Sequence, residues 1–287
     1  MVLSRFAPAP TGFLHLGHVV NANYVWGITK ARGGKVLLRI EDHDRQRSRP
    51  EYERAILEDL EWLGFVPDEP FVRQSDRNAI YEGALARLRS AGLVYACDCS
   101  RKDIAAAGEP ETELRYPGTC AAKGLPEKPG FGLRVRLAPS VEPFDDLVHG
   151  PQAQRPSEQC GDLLVRDREG NWTYQFVATV DDFEQGVTLV IRGDDLLAST
   201  GRQIQLARLL GRIEPPQFLH HPLIMKTATQ KLSKSDGDSG VRDLRARGWR
   251  ASQVIGHAAT LAGLATMATD LDAREVARLF NGNGPTV

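Results

Sequence analysis

The sequence predicts an α/β protein built on a doubly wound parallel sheet. Three observations carry this. Short apolar runs alternate with helical patterns in the order strand, helix, strand, helix from the N-terminus. The run "KVLLRI" at 35–40 has the density of apolar residues expected of a strand covered on both faces. The alternation breaks off near residue 95 and resumes near 157, as it would around an insertion.

Taken in order, "VLSRFA" is a short strand. "LGHVVNANYVWGITKARGG" has helical periodicity and closes on Gly33 and Gly34, a C-terminal stop. "PEYERAILEDLEWLG" opens with Pro50 at the first helical position and stops at Gly64, with Ala55, Ile56, Leu60 and Leu63 as its apolar stripe. From Tyr95 to Pro156, Gly and Pro punctuate the chain, three cysteines lie close together, and "FGLRVRL" alternates like a strand. "DLLVRDREGNWTYQFVATVDD" reads as a hairpin turning at Glu169–Asn171. "VTLVIRG" is a strand, and "STGRQIQLARLLG" a helix with Ser199 at its N-cap. "VRDLRARG", "ASQVIGHAATLAG" and "DAREVARLFN" are helical stretches. The expected organisation is a catalytic domain in two halves, 1–94 and 157–240, an insertion at 95–156, and a helical extension at 241–287.

The formal net charge of -1 argues against a broad nonspecific nucleic-acid surface. It leaves room for a local patch, and Arg242, Arg245, Arg247 and Arg250 are either that patch or a solvated helix face. No apolar run approaches the ~20 residues of a membrane span, and the N-terminus lacks a signal-peptide core, so a cytoplasmic protein is expected. In that setting four cysteines, Cys97, Cys99, Cys120 and Cys160, favour a metal over disulfides. Thiolates suit zinc; the first three are one ligand short, with Tyr116, Cys160 and His149 as candidates for the fourth.

Two segments carry chemistry. "APAPTGFLHLGH" lies between the first strand and the first helix, where doubly wound sheets bind nucleotides. His15 and His18, three apart, share a face at a helix start whose free N–H groups favour anions. "QKLSKSDGDSG" at 230–240 reads as a loop in which Lys231 and Lys234 can grip a polyphosphate.

"HLGH" with "KLSKS" resembles the paired signatures of class I aminoacyl-tRNA synthetases, and "RFAPAPTGFLHLGH" followed by "LLRIEDHDRQRS" resembles their glutamyl branch, over Leu3 to about Ser235. The resemblance implies a Rossmann-type catalytic domain in which a glutamate carboxylate attacks the α-phosphate of ATP, supplied with Mg, to give an acyl-adenylate. Catalysis there is positioning and charge stabilisation. It implies that His15, His18 and Lys234 hold ATP, with Lys231 assisting. It implies that Arg5, Phe6, Ala7, Pro8, Ala9, Glu41, Tyr174 and Arg192 form the glutamate site. A guanidinium fork at Arg5 matches a γ-carboxylate and rejects an amide. Glu41 accepts the ammonium. Tyr174 could equally be packing, and Arg192 could pair with Asp194 or Asp195. Ala9 stands where the family often has Ser, which costs one contact of about 1 kcal/mol if that hydroxyl touches substrate. The Leu of "KLSKS", where Met is usual, conserves volume.

A glutamyl core with Cys-x-Cys and then Tyr-x-x-x-Cys resembles the glutamyl-Q tRNA(Asp) synthetase family, which makes Tyr116 the implied fourth zinc ligand beside Cys97, Cys99 and Cys120. Full glutamyl-tRNA synthetases run well past the lysine loop into anticodon-reading helices, whereas only Asp236–Val287 remain here. The expectation is therefore a monomer that activates L-glutamate with ATP and esterifies the queuosine in the anticodon of tRNA(Asp), a single-stranded loop of the kind RNA enzymes read. The alternatives are a shortened enzyme charging a tRNA 3′ end and a non-catalytic binder of tRNA or glutamate.

Overall fold

β1 (Leu3–Phe6), α1 (Leu16–Ala31) and β2 (Lys35–Ile40) form the first strand–helix–strand unit of a computed structural model that describes residues 1–106, 114–224, 240–267 and 270–280. β1 and β2 pair parallel from Leu3↔Lys35 to Phe6↔Leu38. After α2 (Pro50–Leu63), β3 (Val72–Arg73) extends the sheet in parallel beside β2. α3 (Asn78–Ser90) leads to β4 (Val94–Cys97), α4 (Arg101–Ala106) and β5 (Gly132–Val135). Then come β6 (Glu142–Asp146), β7 (Gly150–Gln154), α5 (Pro156–Gln159) and β8 (Leu163–Arg166). α6 (Tyr174–Glu184), β9 (Leu189–Gly193), α7 (Thr200–Leu209) and β10 (Gln217–His221) follow, then α8 (Val241–Ala246), α9 (Ala251–Leu261) and a 3-10 turn at Val276–Phe280.

β4, β5 and β8 make a separate antiparallel sheet. β6 and β7, also inside 95–156, instead join β10 and β9 in the order β7-β6-β10-β9, with β9, β10 and β6 parallel. The two parallel sheets meet at β1 and β9, where the Thr188 N–H donates to the Leu3 carbonyl at 2.9 Å and the Leu3 N–H to Thr188 Oγ1 at 2.9 Å. Further along, the bond across this seam comes from a side chain: Arg5 Nη1 donates to the Ile191 carbonyl at 3.2 Å. From β1 the chain winds outward to β2 and β3, and from β9 it winds the other way to β10. Such a reversal leaves a crevice at the carboxyl ends of the strands.

The local reasons for these elements are those the sequence offers. Gly64, at φ 84°, ends α2, whose Ala55, Ile56, Leu60 and Leu63 are buried. Each buried Leu or Ile contributes about 1.5–3 kcal/mol of transfer free energy. α1 is buried on most sides because the sheet, α9 and the 3-10 turn all pack on it. Asn23 Nδ2 bonds the Ile255 carbonyl at 3.1 Å, and a side chain at Gly27 would run into the Phe280 ring.

Two expectations need correcting. The hairpin at Glu169–Asn171 has a turn but no second strand: after a single Arg166–Trp172 bridge the chain enters α6. Phe176, Val177 and Val180 recur at helical spacing and are fully buried among Leu85, Leu88 and Leu206, and that burial outweighs the strand preference of an aromatic, β-branched run. Ser199 stands at the N-cap of α7 but makes no capping bond; its hydroxyl accepts from Gln175 Nε2 at 3.0 Å. No described helix is long and apolar enough to cross a membrane.

Candidate active site

The histidine pair sits where β1 hands over to α1, and the two rings cap that helix. His15 is the N-cap, and its Nδ1 accepts the Gly17 N–H at 3.1 Å. His18 Nδ1 reaches back to accept the His15 N–H at 3.1 Å, and the ring centroids are 4.0 Å apart. This is a capping box made with imidazoles instead of Ser and Glu. Because each Nδ1 accepts, each neutral ring carries its proton on Nε2 as a hydrogen-bond donor. Gly17 is required: a Cβ there would lie 2.8 Å from His15 Cε1.

The crevice at the β1–β9 seam is a cavity of about 760 Å³. Its wall includes Arg5, Ala7, Ala9, Glu41, Tyr174 and Arg192. Extended chain alternates faces, so the stretch 5–9 splits. Phe6 is buried against Trp26, and neither Phe6 nor Pro8 is on the wall. Pro8 instead fixes the neighbouring strand end by accepting the Glu41 N–H at 3.0 Å.

Beneath the wall lies a buried ionic network. Arg5 Nε donates to Asp182 Oδ1 at 2.9 Å. Arg39, wholly buried, donates to the same Asp182 oxygen at 2.9 Å and reaches Glu41 Oε1 at 3.4 Å and Asp181 at 3.7 Å. Arg77, Tyr81 and Gln74 complete the shell of Asp181 at 2.7, 2.9 and 2.8 Å. Burial pushes the Asp182 carboxyl up, but Arg5 and Arg39 outweigh it and hold it below the usual range. Glu41 has the opposite balance: burial raises its carboxyl, and Arg39 and Arg5 offset this only in part. A cation placed against Glu41 therefore gains a partner that the protein itself undersupplies. Burial also raises the Tyr174 phenol and lowers the Arg192 guanidinium. In this network Arg5, Arg39 and Arg77 are shared among Glu41, Asp181 and Asp182.

Lys231 and Lys234 lie outside the described residues. Both flanks of their segment are anchored on α1. His221 stacks on Tyr24 with centroids 4.8 Å apart and meets Asn21 Oδ1 at 3.3 Å. Gly240 pairs with His15, and the Val241 N–H donates to the Leu14 carbonyl at 3.0 Å.

The cysteine cluster lies beyond β4. The sulfur atoms of Cys97, Cys99 and Cys120 are all within 4.8 Å of one another, and Cys99 and Cys120 are 3.4 Å apart without a disulfide. Tyr116 Oη is 3.5 Å from Cys97 Sγ and accepts the Cys120 N–H at 2.8 Å. The other two candidates are elsewhere. Cys160 Sγ is bonded to the Pro156 and Gly161 carbonyls, and His149 Nε2 to Asp194 at 2.7 Å. Burial and then Cys120 push the Cys99 thiol up to about 12, whereas bonds from Tyr116 and Arg134 overcome burial to lower that of Cys97. Thiols crowded this closely repel once ionised, which a cation relieves. A tetrahedral site with Zn–S bonds of ~2.3 Å separates its sulfurs by about 3.8 Å. The donor set can hold a metal ion.

The arginine cluster near the C-terminus is largely paired off: Arg242 with Glu58, Arg250 with Asp270, and Arg245 over the Trp62 ring at 5.2 Å. Sequence reading missed Arg39, Asp181, Asp182 and His220. The available signals were an arginine inside "KVLLRI" and two adjacent aspartates in an otherwise apolar helix face.

The family model for the catalytic domain of class I tRNA synthetases (E and Q) matches residues 1–275. A glutamyl-Q tRNA(Asp) synthetase of Burkholderia mallei is 47% identical over 240 residues, which cover 81% of this chain and 80% of that protein. One from Rhodobacter capsulatus is 40% identical over 268 residues, 86% of this chain and 96% of that protein. Among solved structures, a glutamate tRNA ligase from Elizabethkingia meningosepticum, in complex with its amino acid, is similar with a TM-score of 0.80 and 28% identity. That match covers 96% of this chain and 64% of the ligase, so the chain spans somewhat less than two thirds of the ligase's length. Methionyl-tRNA synthetase of Mycobacterium tuberculosis, at 13% identity and a TM-score of 0.56, shares the fold alone.

Proposed function

The chain belongs to the class I tRNA synthetases of the E and Q type and, among them, to the glutamyl-Q tRNA(Asp) synthetases, and from that membership we propose its reaction: ATP-dependent, tRNA-independent activation of L-glutamate, then transfer of glutamate to queuosine in the anticodon of tRNA(Asp). In the first step a glutamate α-carboxylate oxygen bonds the α-phosphorus of ATP and pyrophosphate leaves. In the second a hydroxyl of the queuosine cyclopentene-diol bonds the acyl carbon, AMP leaves, and the hydroxyl proton is lost. Neither step needs a protein nucleophile; both depend on orientation and on donors aimed at developing charge.

The observation that carries the amino-acid half is the seam cavity, which Arg5, Arg192, Glu41 and Tyr174 line together. Arg5 and Arg192 receive the side-chain carboxylate, Glu41 the ammonium, and Tyr174 closes the pocket. The chain at Ala7 and Ala9 offers backbone groups. The Nε2 donors of His15 and His18 meet the phosphates, joined by Lys234 and Lys231, and Mg2+ accompanies ATP. Cys97, Cys99, Cys120 and Tyr116 would hold a zinc ion in a structural role, tying β4 to the loop that carries Tyr116 and Cys120.

Charging of an ordinary tRNA 3′ end is the second reading, favoured by the likeness to the glutamate tRNA ligase. One experiment decides. Purified protein is given radiolabelled glutamate, ATP and either queuosine-containing tRNA(Asp) or tRNA(Glu), and the ester is located by nuclease mapping. An ester at the anticodon nucleoside of tRNA(Asp) is expected. An ester at the 3′ terminus of tRNA(Glu), formed at a comparable rate, overturns the proposal.

A further inference from the structure

Three guanidiniums line the seam cavity. Arg47 is exposed and paired with Asp44 at 2.6 Å; the two buried ones, Arg5 and Arg192, are held in different ways. Arg5 is bonded to a carboxylate, Asp182. Arg192 is bonded only to neutral acceptors. Its Nε donates to His220 Nε2 at 2.9 Å and its Nη1 to Gln203 Oε1 at 2.6 Å. Its Nη2 donates to Thr200 Oγ1 at 2.8 Å and to the Leu196 carbonyl at 3.3 Å. Among the described residues no carboxylate lies within ion-pair distance of Arg192.

The imidazole's protonation follows from its partners. An arginine can only donate, so His220 Nε2 is the acceptor and the ring proton sits on Nδ1. That proton is given to Asp146 Oδ2 at 2.6 Å, and the same oxygen also receives the His220 backbone N–H at 3.1 Å. Asp146 Oδ1 takes the N–H groups of Val148 and His149, both at 3.0 Å, so the carboxylate is fixed by the turn after β6. His220 is wholly buried, and Asp146 and Arg192 nearly so. The chain Asp146–His220–Arg192 thus runs from a backbone-anchored carboxylate, through one imidazole tautomer, to the cavity wall.

We infer that His220 is a positioning and specificity-determining residue: it orients Arg192 through a neutral nitrogen and keeps the anchoring carboxylate one ring away, so that the guanidinium's charge remains available to the carboxylate of an acidic amino acid. The inference rests on the glutamate-activating reading. A carboxylate in direct contact would orient Arg192 equally well but would neutralise it, and an amide side chain in the substrate would then compete better with a carboxylate.

Glutamine and asparagine separate the two bonds of this ring. The amide of a glutamine reaches the place of Nε2, and that of an asparagine the place of Nδ1. His220→Gln keeps an acceptor for Arg192; His220→Asn keeps only the bond to Asp146. Each variant is measured by amino-acid-dependent ATP–pyrophosphate exchange, with glutamate and with glutamine. We expect His220→Gln to hold the KM for glutamate within about threefold of the unaltered protein. We expect His220→Asn to raise it at least tenfold and to lower glutamate-over-glutamine selectivity, with the KM for ATP within about twofold. Equal rises in the two KM values, or an unmoved glutamate KM in a folded His220→Asn protein, overturn the inference. Should His220→Asn fail to fold, His220→Glu replaces it. It sets an anion on Arg192 and is expected to exceed the glutamate KM of His220→Gln at least tenfold; matching values overturn the inference. Absence of glutamate-dependent exchange in the unaltered protein would instead sink the functional reading.

Discussion

His18 Nδ1 accepts the backbone N–H of His15, so the signature histidines are locked by the helix they begin. Their outer nitrogens are therefore oriented before any ligand arrives, which saves reorganisation in the transition state. His18→Ala should cost about 1 kcal/mol of stability through the lost cap. It should also lower glutamate-dependent pyrophosphate exchange by about 100-fold or more, the usual loss of one preorganised donor. His18→Asn keeps an acceptor near Nδ1 but has no donor at Nε2. Thermal melts should show it as stable as the unaltered protein, while exchange stays as low as in His18→Ala. Full activity in His18→Asn would show that only the cap matters.

Arg39 joins the substrate wall to the core. It is wholly buried and shared among Asp182, Asp181 and Glu41. Removing one member of such a set strands the charges that remain, at a cost of about 3–5 kcal/mol. Arg39→Met should lower the urea midpoint by a corresponding amount. It should also raise the glutamate KM, because Asp182 and Glu41 lose the group that spaces them. A small change in midpoint would mean that Arg77 and Arg5 suffice to hold the two aspartates.

Helix ends and strand cores were legible because they are local: Gly64 stops α2, and Leu37, Leu38 and Ile40 make β2 apolar. α6 reads as a strand in the sequence because a glycine turn followed by Trp172, Tyr174, Phe176 and Val177 has strand composition; only the partners of its buried face decide the matter. The seam that creates the cavity joins Leu3 to Thr188, and nothing short-range encodes it. Arg5, Glu41, Tyr174 and Arg192 could each be matched to a family position, but their partners could not. Beside its place in the glutamate site, the sequence leaves open a pairing of Arg192 with Asp194 or Asp195, whereas the fold gives Asp194 to His149 and gives Arg192 to His220, Gln203 and Thr200. Partner choice in a buried site is a tertiary property.

Asp59 gives a pH test of the fold. It lies buried in α2, and neither carboxylate oxygen has a hydrogen bond; Arg242 Nε approaches no closer than 3.5 Å. Burial, offset in part by Arg242 and Arg245, raises its carboxyl to about 6. The unfolded chain binds this proton only below ~4. Between those values the folded state holds more protons, so this group makes stability fall as pH rises from ~4 to 6, and the loss persists above. Asp59→Asn should remove that slope and be the more stable protein at pH 7, by up to about 2 kcal/mol. Urea titrations of both proteins at pH 4.5 and 7 measure this. Parallel behaviour at the two pH values would show that Arg242 already neutralises Asp59.

The cysteine cluster predicts a metal stoichiometry. Cys99 is the most exposed of the three thiols, and the other two are buried among Tyr116 and Ile104. Losing one thiolate from a four-donor set leaves a hydroxyl that binds zinc poorly, so Cys99→Ser should fall from about one zinc per chain to a small fraction of that. Cys160→Ser is the matched control. Its sulfur bonds two carbonyls in a different apolar cluster, and its metal content should not change. Atomic emission on dialysed protein reads both. Because the zinc is assigned to holding the loop that carries Tyr116 and Cys120 against β4, its loss should reduce transfer to tRNA more than pyrophosphate exchange. Equal loss of both activities would place the metal's influence on the activation site instead.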